Sequence, residues 1–318
     1  MHRFTFGIYP GSATGAEDGL AVGSPDSPER IWQALNDLQP ANKPFVVRAY
    51  MPYVGNGNVL AITPENFEQY VGPNRKLDLV LPYRALDESI DMWTNFIRST
   101  LQRYGPNLTT LQITEEANST GPGGDGVTPN VRAALIAGVL AAKVEVERLH
   151  LPIGIGFSAT INFNPADDFW PEIGRIGGQP FVDALDYVAL DFFPDVFVPL
   201  PPNVNLSDGV RGVLHQFRQV NLPAAGIPAT MPIHIGENGW PTNPTRSYAR
   251  QAEVLETIIR AVHKYREEFN ITKYELFDLR DADSSQDNIF YQFGLLRDDY
   301  SPKPAYKIFK QLVAELSA

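Results

Sequence analysis

The 318-residue sequence contains no cysteine. This absence excludes disulfides, thiol nucleophiles, cysteine-ligated zinc and iron–sulfur clusters. No apolar run approaches the roughly 18 residues that a membrane-spanning helix needs. The N-terminal residues MHRFTFGIYP show no basic segment followed by a long apolar one, so no signal peptide is predicted. The compartment is therefore not determined, but the cytoplasm is slightly favoured unless a leader has been removed.

Positive charge is scarce. The chain has 26 Lys and Arg against 37 Asp and Glu, for a formal net charge of −11. An acidic surface repels polyanions, so neither a nucleic acid nor an anionic membrane is the expected partner. The 5 histidines show no HExxH or paired spacing, and no Gly-x-Ser-x-Gly segment is present. The sequence therefore predicts neither a metal or other cofactor nor a Ser-His-Asp hydrolase, and it does not indicate an oligomeric state.

Apolar, β-branched segments alternate with helical patterns along the whole chain. The strand patterns begin at Phe4, Phe45, Leu77, Leu108, Ile153, Tyr187, Ile233 and Tyr274. Such alternation is typical of a parallel sheet built from βα units, and eight units in more than about 250 residues predict an α/β fold closed into a (β/α)8 barrel. No linker or break in composition divides the chain. We therefore expect a single barrel domain over residues 1–318.

The helices between the strands carry start signals. Ser27-Pro28 and Thr128-Pro129 each place an N-cap residue before a proline at the first helical position. A further amphipathic stretch lies between Thr245 and Phe269.

An open doubly wound sheet is the structural alternative to a barrel. It usually carries a glycine-rich phosphate loop between its first strand and a helix. Here that position reads YPGSATGAEDG with no helix pattern directly after it, and the later cluster GPGGDG (121–126) lacks the following Lys-Ser/Thr. Both segments are predicted to be flexible loop tips instead of phosphate sites.

Two strand patterns end in glutamate. The fourth ends LQITEEANS, which places Glu115 and Glu116 at its tip, and the seventh ends IHIGENGWPT, which places Glu237 there. In a barrel these two strands lie opposite each other, and their C-terminal ends share one face. Two carboxyl groups on either side of the scissile bond are what glycoside hydrolysis requires. The alternative is that these glutamates are solvated loop residues.

At these segments the sequence resembles the glycoside hydrolases of clan A. GENGWPT is similar to the nucleophile segment of that clan, LQITEEAN to its acid/base segment, and FGLLRDDYSPKPAYKIFKQL to its C-terminal helix. The resemblance covers strands four, seven and eight and the tail, and it does not select one family. It implies that Glu237 is the nucleophile, that Glu116 is the acid/base, and that a covalent glycosyl-enzyme intermediate forms.

Glu115 departs from the clan pattern. It occupies the place of an asparagine that, by the resemblance, binds the sugar 2-hydroxyl. Adjacent carboxylates oppose each other's ionisation, and a raised pKa on Glu116 would suit a general acid. Alternatively, Glu115 is itself the acid/base, with the register shifted by one. The departure also leaves open an unusual substrate or a weakened enzyme.

Residues at the other strand ends are candidates for sugar binding, because aromatic faces, amides and carboxylates recognise sugars. Besides Glu115, the candidates are Tyr9, Arg48, Tyr50, Tyr83, Asn118, Asn162, Asp191, Trp240 and Arg280. By the resemblance, Arg48 holds the nucleophile ionised, with a structural ion pair as the alternative. Trp240 is either a platform for a sugar ring or packs beneath its own loop.

The sequence thus predicts a retaining β-glycosidase that acts on β-linked glycosides, oligosaccharides or polysaccharides and needs no cofactor. A transglycosylase, a non-catalytic or weakly active carbohydrate-binding barrel, and a barrel with lyase or isomerase chemistry are the alternatives. Sugar identity, linkage, and endo or exo action are not indicated.

Overall fold

The structure is a computed structural model that describes residues 4–16, 19–86 and 89–317. Eight parallel strands form one closed barrel, in which each strand pairs with its neighbour in the sequence and the last pairs with the first. The strands are β1 Thr5–Ile8, β2 Phe45–Tyr50, β3 Arg75–Leu81, β4 Leu108–Ile113, β5 Gly154–Thr160, β6 Tyr187–Asp191, β7 Ile233–Asn238 and β8 Ile271–Leu276. The predicted (β/α)8 barrel is confirmed.

Seven longer helices surround the barrel in the described part of the chain. They are α1 Pro28–Leu38, α2 Ile90–Tyr104, α3 Val131–Arg148, α4 Phe169–Ala184, α5 Leu206–Gln216, α6 Tyr248–Phe269 and α7 Pro304–Leu316. Between β2 and β3 the chain forms a hairpin, Tyr53–Gly55 with Asn58–Val59, and the 3-10 turn Phe67–Tyr70. None of the described helices is long and apolar enough to cross a bilayer.

Several of the predicted boundaries differ from the structure by one to three residues. Strand β8 begins at Ile271, three residues before the predicted start, because Lys273 interrupts the apolar pattern although its side chain is buried. Helix α3 begins at Val131, after Asn130 in a left-handed conformation with φ 60°, so Thr128-Pro129 precedes the helix and does not cap it. The prediction for α1 is confirmed, since Ser27 accepts a hydrogen bond from the Arg30 backbone N–H.

The second half of GPGGDG, residues 124–126, is packed although a flexible loop tip is predicted there, whereas Gly121 and Pro122 are exposed. A Cβ atom at Gly124 would lie 2.6 Å from the Ser119 carbonyl oxygen, and one at Gly126 would overlap the same atom. Gly126 also donates a backbone hydrogen bond of 2.9 Å to that oxygen. The glycines are therefore required by a close approach between two parts of the loop that follows β4.

Charged side chains occupy the interior of the barrel. The Lys273 ammonium lies 3.0 Å from Asp78 Oδ2 and 3.4 Å from Glu275 Oε2, and it donates to Thr110 Oγ1 at 2.9 Å. Burial alone would raise the pKa of Asp78, but Lys273 and Arg48 outweigh burial and hold that pKa well below its usual range. This network lies inside the barrel and connects to the residues at its mouth through Arg48.

Lys273→Ala tests the buried network. We expect a loss of about 3–5 kcal/mol in the free energy of unfolding, because the substitution removes one of the two buried cations that pair with Asp78 and Glu275 and leaves Arg48 as their shared counter-ion. The measurement is chemical denaturation at neutral pH.

Lys143→Ala is the control for that measurement. Lys143 pairs with Asp186 at 2.8 Å on the surface, and loss of an exposed pair costs about 0–1 kcal/mol. Equal losses in the two variants would contradict a structural role for the interior network.

Candidate active site

Glu237 lies at the C-terminal end of β7, near the mouth of the barrel, and is 8% exposed. Its Oε1 atom accepts a hydrogen bond from the hydroxyl of Tyr50, the last residue of β2. That hydroxyl accepts in turn from Arg48 Nε at 2.7 Å, and Arg48 Nε lies 3.8 Å from Glu237 Oε1. Arg48 and Tyr50 therefore position the Glu237 carboxylate together.

The backbone of β7 is also constrained beside Glu237. A Cβ atom at Gly236 would lie 2.5 Å from Asp191 Oδ1 and 3.1 Å from the Ala189 side chain. Asp191 is the last residue of β6, and its partner in the strand pairing is Glu237. Glycine at 236 thus allows the Asp191 carboxyl to lie against β7.

Arg48 contacts four carboxyl groups and is 1% exposed. Its guanidinium lies 3.1 Å from Asp78, 3.5 Å from Glu115 and 3.5 Å from Glu275, in addition to Glu237. Arg48 therefore makes the predicted contact with Glu237 and also forms structural ion pairs, so the two interpretations of this residue are compatible.

The chain turns sharply where β4 ends. Thr114 and Glu116 have positive φ angles of 65° and 43°, which are costly for residues with a side chain and often accompany functional sites. The turn is held by two side chains: Glu115 N–H donates to Asp125 Oδ2 at 2.7 Å, and Glu116 N–H donates to Ser158 Oγ at 3.0 Å. The positions of both glutamates follow from these bonds.

The two adjacent glutamates have different surroundings. The Glu115 carboxylate is 6% exposed and accepts from Gln112 Nε2 at 2.6 Å and Arg48 at 3.5 Å. Glu116 is half-buried. Burial and then Glu237 raise the pKa of Glu115 well above its ordinary value, although Arg48 acts in the opposite direction. Burial, then Asp191 and Glu237, raise the pKa of Glu116 well above its ordinary value.

Asp191 is 1% exposed and lies beside both glutamates. Carboxylate oxygens of Asp191, Glu115 and Glu116 lie within 4.8 Å of one another, a spacing that would also allow them to share a cation. Burial and the neighbouring Glu237 raise the pKa of Asp191 to about 7. At neutral pH this site therefore binds protons that isolated carboxyl groups would release.

Asp125 positions the acid-rich turn, a role that sequence reasoning missed. The side chain is fully buried and accepts from the backbone N–H of Glu115 at 2.7 Å and of Tyr83 at 2.6 Å, and from Arg84 Nε at 2.7 Å. Asp125 N–H also donates to the Glu115 carbonyl at 2.8 Å. One aspartate in the glycine-rich loop thus joins the ends of β3 and β4.

Two other missed residues carried a weak sequence signal. Gln112 and Ser158 are polar residues within apolar strand patterns, and both are fully buried at the centre of the site. Gln112 Nε2 donates to Ser158 Oγ at 2.9 Å as well as to Glu115. A buried polar residue in a barrel strand marks an inward-facing position.

Three of the predicted sugar-binding residues lie behind or outside the carboxyl cluster. Tyr9 is fully buried, stacks on Phe277 at 5.2 Å and meets the edge of Tyr50 at 5.0 Å. Tyr83 is buried 5.3 Å from Trp93. Arg280 is also fully buried, and its guanidinium joins loops by donating to the side chains of Ser12 and Asp26, to the Ser24 carbonyl and to the Asp298 carbonyl.

Three further candidates make local contacts. Trp240 is 3% exposed and packs against Arg246, which fits the alternative that it lies beneath its loop. The Asn118 amide donates to the Thr160 carbonyl at 2.9 Å and accepts from the Thr160 N–H at 2.9 Å. Asn162 is half-buried and accepts from the backbone N–H two residues ahead. The structure thus brings Arg48, Tyr50, Glu115, Glu116, Asp191 and Glu237 together at the site.

Comparison with solved structures identifies the same barrel in several glycosidases. The chain is similar to a family 39 glycoside hydrolase from Bacteroides cellulosilyticus, with a TM-score of 0.65, 17% identity, and 99% of this chain and 64% of the other covered. A b-glucuronidase from Ruminococcus gnavus is similar with a TM-score of 0.64 and 14% identity, and the match covers 98% of this chain and 49% of the other. A beta-glucosidase from Exiguobacterium marinum is similar with a TM-score of 0.62 and 12% identity, and the match covers 100% of this chain and 98% of the other.

These values establish a shared fold. The chain spans about half the length of the R. gnavus protein and about two thirds of the B. cellulosilyticus protein, so each of those has a substantial region without a counterpart here. No protein-family model matches the chain, and no curated protein sequence matches it significantly.

The raised pKa of Asp191 predicts a pH-dependent stability. The folded protein binds this proton more tightly than the unfolded chain, whose aspartate pKa is about 3.9, so the stabilisation is complete below that pH. It is lost as the pH rises through about 7. We expect the wild-type Tm to fall between pH 5 and pH 8, and to fall less in Asp191→Asn, as measured by differential scanning calorimetry.

Asp186→Asn is the matched control, because Asp186 directly precedes β6 at the opposite end of the barrel and pairs with Lys143. Its Tm should change with pH as in the wild type. Identical pH profiles for Asp191→Asn and the wild type would contradict the assignment of a raised pKa to Asp191.

Proposed function

We propose that the chain is a retaining β-glycoside hydrolase in which Glu237 is the nucleophile and Glu116 the acid/base. The observation that carries the proposal is the pair of glutamates at the ends of β7 and β4, with Glu237 held by Tyr50 and Arg48. The barrel shared with three glycosidases supports the same reaction class. So does the resemblance of both strand-end segments to clan A enzymes.

In the first step, a Glu237 carboxylate oxygen attacks the anomeric carbon. The bond from that carbon to the leaving oxygen breaks, and the leaving oxygen takes the proton of Glu116. The products are a glycosyl ester of Glu237 and an alcohol. The Tyr50 hydroxyl and the Arg48 guanidinium orient the attacking carboxylate in this step.

In the second step, the Glu116 carboxylate removes a proton from water. The water oxygen attacks the anomeric carbon, the ester bond to Glu237 breaks, and the free sugar leaves. An acceptor sugar in place of water would give transglycosylation by the same residues.

The contacts of the two β4 glutamates favour Glu116 over Glu115 as the acid/base. Glu115 is held by Gln112 and Arg48 and is 6% exposed, whereas Glu116 is half-buried and therefore more accessible to a leaving group. Burial and neighbouring carboxylates raise the pKa of Glu116, which keeps the proton that a general acid must donate.

Kinetics of two variants test these roles on a set of aryl β-glycosides. Glu237→Gln should lower kcat by about 10⁴-fold or more, because a neutral amide cannot form the ester intermediate. Glu116→Ala should retain much more activity on substrates with activated leaving groups, and azide should restore turnover as a β-glycosyl azide. Glu253→Gln, an exposed carboxylate on α6, is the control and should be unaffected.

Product stereochemistry is read in the same experiment by proton NMR. The β-anomer must appear first if the mechanism is retaining. Full activity of Glu237→Gln would refute the nucleophile assignment, and first appearance of the α-anomer would refute retention. Azide rescue in Glu115→Ala instead of Glu116→Ala would move the acid/base to Glu115.

A further inference from the structure

The mouth of the barrel holds more carboxyl groups than cations. Glu115, Glu116, Asp191 and Glu237 surround it, and Arg48 is the cation that pairs with members of this group among the described residues. Arg48 is shared with Asp78 and Glu275 deeper in the barrel. Lys273 cannot restore the balance, because its ammonium contacts those same two deeper carboxyl groups.

Asp191 is the most deeply buried member of the group, and among the described residues its carboxylate has no donor with hydrogen-bond geometry. The Ser158 hydroxyl and the Glu237 backbone are near enough to lower its pKa. However, neither carboxylate oxygen of Asp191 has a partner with hydrogen-bond geometry in the described part of the chain. Buried acceptors are almost always hydrogen-bonded, so a buried carboxylate in this state indicates a donor that arrives with a ligand.

We infer that the sugar bound next to Glu237 carries an amino group, whose ammonium is held by Asp191 and Glu115. This inference rests on the proposed glycosidase function and names its substrate class as β-glycosides of amino sugars. An ammonium supplies three N–H donors and one positive charge, which match the unpaired oxygens and the excess of carboxyl groups. An N-acetylated sugar would supply an amide N–H without the charge.

The same arrangement disfavours uronic acids. A uronate would add a carboxylate to a site in which neighbouring carboxyl groups already raise the pKa of Asp191, so a further negative charge in this low-dielectric site is unfavourable. The similar R. gnavus protein is described as a b-glucuronidase, so the shared barrel does not by itself predict the sugar.

A substrate ammonium fits this group better than a divalent metal ion does. The Oε2 atom of Glu115 already accepts from Gln112 at 2.6 Å, and the Arg48 guanidinium lies 3.5 Å from it. A dication would therefore have to displace a neutral donor and approach a fixed positive charge. Binding a metal would also occupy Glu116, which must be free to transfer protons in the proposed reaction.

Substrate competition on the wild-type enzyme tests the inference directly. We would compare 4-nitrophenyl β-glycosides that are unmodified, 2-amino-2-deoxy, 6-amino-6-deoxy, N-acetylated at the 2-amino group, or oxidised to the uronate, in the gluco, galacto and manno series. We expect kcat/KM for an amino glycoside to exceed that of its neutral parent by about tenfold or more. Acetylation should abolish the advantage, and the uronate should be the poorest substrate.

Asp191→Asn tests the residue. The ratio of kcat/KM between the amino and neutral substrates should fall by about tenfold, whereas Asp186→Asn, directly before the same strand at its other end, should leave the ratio unchanged. The ratio is informative even if Asp191→Asn lowers activity on every substrate. If this variant does not fold, wild-type inhibition by the free amino sugar and by its neutral parent gives the same comparison.

Each outcome supports or overturns the inference. Neutral or uronate substrates that are turned over faster than their amino counterparts in all series would overturn it and leave the glycosidase function standing. Dependence on added Ca²⁺ or Mg²⁺ without a preference for amines would assign the carboxyl cluster to a metal and overturn it as well. No turnover of any glycoside would instead refute the proposed function.

Discussion

The buried guanidinium of Arg48 joins the interior of the barrel to its mouth. It extends from β2 towards Asp78 and Glu275 on one side and towards Glu115 and Glu237 on the other. Removing a charge of this kind from water is costly and is compensated only when the surrounding acceptors are fixed. The positions of the carboxyl groups in β3, β7 and β8 and just after β4 are therefore coupled through one side chain. The geometry at Glu237 depends on the stability of the barrel interior.

The excess of carboxyl groups around that cation explains the chemistry that we assign to the site. One carboxylate must attack while another retains a proton, and both states must coexist at the same pH. Glu237 lies next to the hydrogen-bond donors Tyr50 and Arg48, whereas Glu116 lies next to Asp191 and has a raised pKa. Different surroundings thus separate the roles of two identical side chains. Burial and neighbouring carboxyl groups raise the pKa of Glu115 and Asp191, so their ionised forms are unfavourable, and the amino sugar that we infer would compensate for this.

Much of the fold could be predicted from the sequence, because few known architectures contain eight apolar strands that alternate with helices. The sequence pattern places the start of strand β8 too late, because the charged Lys273 is buried by pairing with Glu275 and with Asp78, which is distant in the sequence. Glu237 could be singled out because it directly follows an apolar strand. The role of Asp125 in holding the turn after β4 could not be predicted. A loop aspartate ten residues after Glu115 carries no periodic signal, and its contacts form only on folding. For Arg280, the position after a strand suggests sugar binding, but the structure shows that its buried guanidinium donates to Ser12 and Asp26 in other loops.

Trapping the covalent intermediate would identify the nucleophile directly. A fluorinated β-glycoside with an activated leaving group slows the second step, so the glycosyl ester accumulates and can be located by mass spectrometry of peptides. We predict one sugar per chain, attached to Glu237 within IHIGENGWPT and absent from Glu237→Gln. An adduct on Glu115 or Glu116, or steady turnover of the reagent without any adduct, would contradict this prediction.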